Sequence, residues 1–168
     1  MGRKLTEIKI ILSEKKNAFA TSGGIAFTSQ LLKELDKNEI MAVTAHELAH
    51  KKGHHIFYKA LLMIALLLVN MLVWSRFTSP ILFSRALTQS VLLPLMMDTA
   101  LIAFVIVELI PVSWYMEMKA DEAAARFVGK SYIQSALLKM SNPEEAKINS
   151  ESHPSVEERI KHIEKLKL

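Results

Sequence analysis

At 168 residues the chain is long enough for one domain with a modest core, and its lack of cysteine excludes disulfides and thiol chemistry alike. A formal charge of +4 and a pI near 9.3 come with dispersed Lys and Arg and only 7% aromatic residues, which speaks against a nucleic-acid surface and for solubility and membrane orientation. Hydrophobic residues make up 51% of the chain and the mean hydropathy is +0.22, with the excess held in two stretches.

Residues 1–12 begin basic and then alternate through Ile8, Ile10 and Leu12, which predicts a strand. Asn17 to Thr28, NAFATSGGIAFT, reads as a hairpin turning at Ser22, Gly23 and Gly24, where glycine permits the positive φ of a tight turn. Small side chains at Ala18 and Ala20 leave its backbone accessible, so an extended peptide could add to the edge as another strand. A merely structural hairpin accounts for these residues equally well. Ser29 to Leu35 predicts a short helix. Asp36, with Glu39 three residues on, then caps the start of the next one.

That next helix, Glu39 to Lys52, contains His46, Glu47, Leu48, Ala49 and His50. One helical turn separates His46 from His50, so both imidazoles can reach a single metal ion from one face. Glu47 sits beside the first ligand, where a carboxylate can take a proton from water activated by Zn²⁺ for attack on a polarised carbonyl. Two surface histidines on a solvated helix are the plain alternative. A catalytic zinc site needs a third protein ligand. His54 would lie about 12 Å along the axis from His46 on an unbroken helix and cannot serve. In the metzincin pattern a glycine and then a histidine follow at three-residue steps; Gly53 is in place, but the second position is Ile56.

Ile56 to Trp74 and Val91 to Tyr115 are apolar runs long enough to cross a hydrocarbon layer of about 30 Å, with Trp74, Trp114 and Tyr115 at ends suited to an interface. Met63, Met71, Met96 and Met97 inside them read as packing filler. Lys59 and Asn70 interrupt the first run; Asp98 and Glu108 lie in the second and are expected to face a bundle interior, an aqueous cavity or a partner. Two crossings put residues 1–55 and 116–168 on one side. Lys51, Lys52, Lys59, Lys119, Arg126 and Lys130 flank the spans there, against Arg76 and Arg85 in the connecting loop, so the positive-inside rule makes that side cytoplasmic.

Met116 to Arg126, MEMKADEAAAR, predicts a helix with Glu117 and Asp121 on one face. Glu117 can supply the third ligand, and Asp121 can accept the free N–H of a ligating histidine and fix its tautomer; Glu122 reads as solvated. After a helix from Tyr132 to Met140 comes a break at Ser141, Asn142 and Pro143 and a polar stretch to Ser152. Val156 to Leu166 is then amphipathic through Val156, Ile160, Ile163 and Leu166. His153 is a candidate donor to the oxyanion of the tetrahedral intermediate, with Arg159 as the alternative, while His55 and His162 read as surface residues.

AHELAH at Ala45 to His50, EMKAD at Glu117 to Asp121, NAFA at Asn17 to Ala20 and SHPSVEERI at Ser152 to Ile160 together resemble the membrane-embedded zinc metalloproteases of the HtpX and CAAX prenyl protease family. The resemblance covers nearly the whole chain. It implies that His46, His50 and Glu117 bind one zinc ion, that Glu47 is general base and acid, that Asp121 supports a ligand, and that Asn17 and Ala18 hold substrate as an added strand. Residues 1–55 hold no apolar run long enough to span, which favours a short form of the HtpX-like branch over the prenyl-protein branch, built on more spans.

The expected architecture is therefore a mainly α (α+β), zincin-like single domain over 1–168 with a small N-terminal β-hairpin or sheet, interrupted by a transmembrane helical hairpin, 56–74 and 91–115. The expected activity is zinc-dependent endopeptidase action on peptide, unfolded or membrane-protein substrates, in membrane protein quality control. Nucleic acid is not an expected partner; the lipid bilayer is. Two readings compete with it: a non-catalytic membrane scaffold with a structural metal site, and a soluble metallopeptidase whose apolar helices are buried.

Overall fold

In the computed structural model, which describes residues 7–21, 23–82, 92–142 and 145–168, the chain opens with three strands, β1 (Glu7–Ile11), β2 (Ala18–Ala20) and β3 (Gly24–Thr28). Their order is β1-β3-β2, with β1 parallel and β2 antiparallel to the central strand. The expected hairpin is thus β2–β3, and the N-terminal strand lies on the far side of β3. Gly24 is required where β1 meets β3, because a Cβ there would stand 1.6 Å from the Glu7 carbonyl oxygen.

Five helices of the same unit follow the expected order: α1 (Ser29–Glu34), α2 (Lys37–Lys52), the end of α4 (Leu92–Val128), α5 (Lys130–Met140) and α6 (Val156–Lys165). Asp36 and Glu39 form the reciprocal cap of α2: Asp36 Oδ1 accepts from the N–H groups of Asn38 and Glu39, and Glu39 Oε2 accepts from Asp36 N–H. Glu39 also does something periodicity does not show. Its carboxylate is buried and takes hydrogen bonds from Ser135 Oγ and Lys139 Nζ, tying α2 to α5.

Two apolar clusters fill this unit. Ile25, Phe27, Leu31, Leu35, Val43 and Ala136 join the sheet to α1, α2 and α5. Ala42, Ala124, Ala125, Ile133, Leu137 and Ile163 join α2, α4, α5 and α6. Ala42 of α2 and Ala124 of α4 are fully buried in this second cluster, and Ala120 of α4 is fully buried as well.

Residues 56–113 form a second unit, made by most of α3 (His55–Leu82) and the first part of α4. The stretches His55–Arg76 and Leu95–Val128 pass the length and hydropathy test for crossing a membrane, and in their most apolar windows only 0% and 11% of residues are buried. That exposure is the reverse of what two soluble-core helices require. Asn70 Nδ2 donates to Glu108 Oε2 at 2.8 Å, so the acid in the second stretch has a partner across the helix pair, whereas Asp98 is exposed. The expected helix at Met116 is not separate: it is the end of the 37-residue α4, which continues through Pro111. Arg85 and Pro143 lie outside the described residues.

Candidate metal centre and active site

Helix α2 carries His46 and His50 on one face, and Glu117 of α4 stands against them. His46 Nε2 and His50 Nε2 are 3.2 Å apart; Glu117 Oε2 is 3.5 Å from His46 Nε2, and Glu117 Oε1 is 3.2 Å from His50 Nε2. Ligand atoms about 2.0–2.1 Å from a tetrahedral zinc ion lie roughly 3.3–3.4 Å from one another; each pair of residues here approaches within 3.2–3.5 Å, Glu117 meeting the two histidines with different oxygens. Glu117 Oε2 is buried and accepts no aligned hydrogen bond, as an atom reserved for a cation would be. These three residues could hold a metal ion, and two histidines with one carboxylate leave a fourth position for water.

A second layer of charge surrounds the triangle. Asp121, fully buried, receives Arg159 Nε on Oδ2 and Nη2 on Oδ1, both at 2.7 Å. Its Oδ1 also lies 2.9 Å from His46 Nδ1, a contact of charge rather than an aligned hydrogen bond. Burial alone would raise the Asp121 carboxyl; Arg159 outweighs it and holds the group below its ordinary value. Burial likewise opposes a charge on His46, but the carboxylates of Asp121 and Glu117 reverse the balance and lift it to about 9 in the metal-free chain. Glu117 is also held low against its burial, by His153, His46 and His50.

Glu47 lies on the next position of α2. Burial pushes its carboxyl up, against the pull of His46 and His50. Its Oε2 accepts the N–H of Ala20 at 3.1 Å. The hairpin register explains why that N–H is available: Thr21 pairs with Gly24 and Asn17 with Thr28 through main-chain bonds to β3, so Ala18 and Ala20 turn their N–H and C=O groups to the outer edge.

Of the residues singled out in the sequence, the structure brings together His46, Glu47, His50, Glu117, Asp121, Arg159 and His153. His153 Nδ1 stands 3.0 Å from Glu117 Oε2 with its side chain 54% exposed. Arg159, expected to face substrate or an oxyanion, is instead buried, paired with Asp121 and 3.5 Å from Glu117 Oε2. Asn17 commits its N–H and C=O to Thr28, leaving the outer edge to Ala18 and Ala20. His55, which the sequence reads as a surface residue, is instead half-buried with its Nδ1 2.8 Å from His50 Nδ1. Its five-residue spacing from His50 falls off the helical face, and only the break at Gly53 and His54 returns it.

Comparison with known proteins agrees with this geometry. The model of peptidase family M48 matches residues 1–167. Protease HtpX of Acinetobacter baumannii (strain AYE) is 31% identical over 155 residues, covering 83% of this chain and 50% of that protein. A protease HtpX homolog of Campylobacter curvus (strain 525.92) is 32% identical over 151 residues, covering 84% and 52%. The chain thus spans about half the length of these curated relatives. The crystal structure of S. mikatae Ste24p superposes with a TM-score of 0.58 at 21% identity, over 95% of this chain and 45% of that one, a likeness of fold.

Proposed function

The chain belongs to peptidase family M48, and from that premise we propose that it is a zinc-dependent endopeptidase of the HtpX kind, anchored in the cell membrane by its two apolar stretches. The observation that carries the reading is the ligand triangle of His46, His50 and Glu117 with Glu47 beside it. A zinc ion bound there supplies Lewis acidity, polarising a carbonyl and bringing the pKa of water towards neutrality.

The protein's own groups do the rest. Glu47, raised by its burial, takes the proton of the attacking water on a carboxylate oxygen and passes it to the leaving amine. Because the same carboxylate accepts the Ala20 N–H, the base is registered to strand β2. The outward main-chain groups of Ala18 and the Ala20 C=O pair with an extended substrate, with Asn17 at the start of that edge, so the scissile bond is aligned by backbone rather than by side chains. Asp121, kept ionised by Arg159, orients His46. His153, the exposed member of the cluster, donates to the developing oxyanion.

Edge-strand recognition asks for an extended, unfolded segment, which suits unfolded or membrane-protein substrates and a quality-control role. The lysines and arginine flanking the apolar stretches favour the cytoplasmic face for the site. The test is Glu47→Gln, assayed on an unfolded protein in detergent. One zinc per chain in both proteins, with turnover falling roughly 10²–10⁴-fold in the variant, is expected; undiminished cleavage by Glu47→Gln would refute the assignment.

A further inference from the structure

The link between α2 and α3 holds two features with no purpose in a simple connection. Among the described residues His54 is the one non-glycine residue with positive φ, +50°, a conformation that L side chains resist. Gly53 before it has ordinary helical angles, φ −73° and ψ −3°, so its backbone does not call for glycine. What calls for it is space: a Cβ on Gly53 would lie 2.4 Å from His55 Nε2 and 2.6 Å from His55 Cδ2. Backbone strain at one residue and a missing side chain at its neighbour thus have one shared result, the folding of the His55 ring back onto α2.

There the ring meets His50. The two Nδ1 atoms are 2.8 Å apart and the rings cross at 90° with centroids 4.8 Å apart, the arrangement in which one imidazole donates in the plane of the other. The direction of that bond follows from the triangle. With a metal ion on His50 Nε2, the ring proton would reside on Nδ1 and be donated, and His55 Nδ1 would be the acceptor.

We propose that His55 is a positioning residue of the metal centre, the acceptor that fixes the tautomer and ring orientation of His50. The proposal rests on His50 being a ligand. The two histidines then differ in what backs them: a carboxylate shared with Arg159 behind one, a neutral imidazole behind the other. Such acceptors raise ligand basicity, and their loss typically weakens metal binding 10–100-fold.

The test is zinc affinity by chelator competition, with the visible spectrum of the cobalt-substituted protein, for wild type, His50→Ala, His55→Phe and His55→Asn. Phenylalanine keeps the ring volume without an acceptor, while asparagine puts a carbonyl oxygen near the Nδ1 position. We expect His55→Phe to bind zinc 10–100-fold more weakly with an altered cobalt spectrum, and His55→Asn to recover most of both. Equal affinity of His55→Phe and wild type would overturn the proposal, as would equal weakness of both variants, which would mark packing as the cause. A wild type that binds no zinc, or a His50→Ala variant that binds as well as wild type, would instead overturn the ligand assignment beneath it. Should His55→Phe fail to fold, ¹⁵N shifts of the zinc-loaded wild type decide: a proton on His50 Nδ1 and none on His55 Nδ1 supports the proposal, and the reverse refutes it.

Discussion

Replacing Asp121 with asparagine separates the two jobs its carboxylate does. The substitution conserves volume, removes the charge, and turns one acceptor into an NH₂ that must face either Arg159 or His46. Asp121 is fully buried and takes both Arg159 bonds at 2.7 Å, while the Arg159 side chain is only 10% exposed. Leaving one member of such a pair buried without its counter-charge costs about 3–5 kcal/mol. In a chain of this size that lowers the midpoint of metal-free thermal unfolding by roughly 6–20 °C. The nearest other carboxylate to Arg159 is Glu117, 3.5 Å from Nη2, so the released guanidinium competes for a metal ligand while His46 loses its orienting group. Zinc affinity is therefore expected to fall by about 10–100-fold. Chelator competition and thermal unfolding in one detergent measure both. The double variant Asp121→Asn, Arg159→Met removes the stranded charge, so most of the stability returns and the zinc affinity does not. A metal-free midpoint within about 2 °C of wild type, or full recovery of zinc binding in the double variant, would refute the division of labour.

Acidity and helix packing offer two further checks. His46 titrates at about 9 in the metal-free chain against 6.5 as an isolated side chain, so the stability it contributes when charged is complete below pH 6.5 and lost as pH rises through about 9. Zinc must displace that proton, so its affinity runs the other way, rising close to tenfold per pH unit between about 7 and 9; calorimetric titration in buffers of different ionisation enthalpy should count about one proton released, and none released at pH 7 would be the contrary result. Ala124→Leu, at the fully buried contact of α4, should cost about 1–3 kcal/mol and weaken zinc binding as the helices part; unfolding and zinc titration that match wild type would mean the contact can open without moving Glu117.

What could be read from the residues alone follows the reach of local rules. The His46–Glu47–His50 arrangement needs only the pitch of one helix, and the Asp36–Glu39 cap needs only three residues, so both stand out in the bare chain. Glu117 and Asp121 were placed by helical spacing and by their position just past an apolar run. Arg159 was not: its salt bridge with Asp121 joins α6 to α4, and no periodicity in either helix announces it. Glu39 is a similar case, legible as a cap and silent about Ser135 and Lys139. His55 reads as a surface residue because an ideal helix extended past His50 puts it on the wrong face; only the left-handed backbone at His54 brings it round. The continuity of α4 was hidden by the change from apolar to charged composition, which marks a boundary in environment and not in main-chain hydrogen bonding.

The Asp121–Arg159 pair also bears on how such an enzyme is made. A ribosome emits α2, with its histidines, before both apolar stretches, and α6 after them. Until then Asp121 has no counter-ion with which to sit in a dry core. A chain synthesised only as far as α2 carries two of the three candidate ligands, His46 and His50. The buried carboxylate on α4 gains its counter-ion only once α6 has been made, so the charged core of this unit closes in chain order.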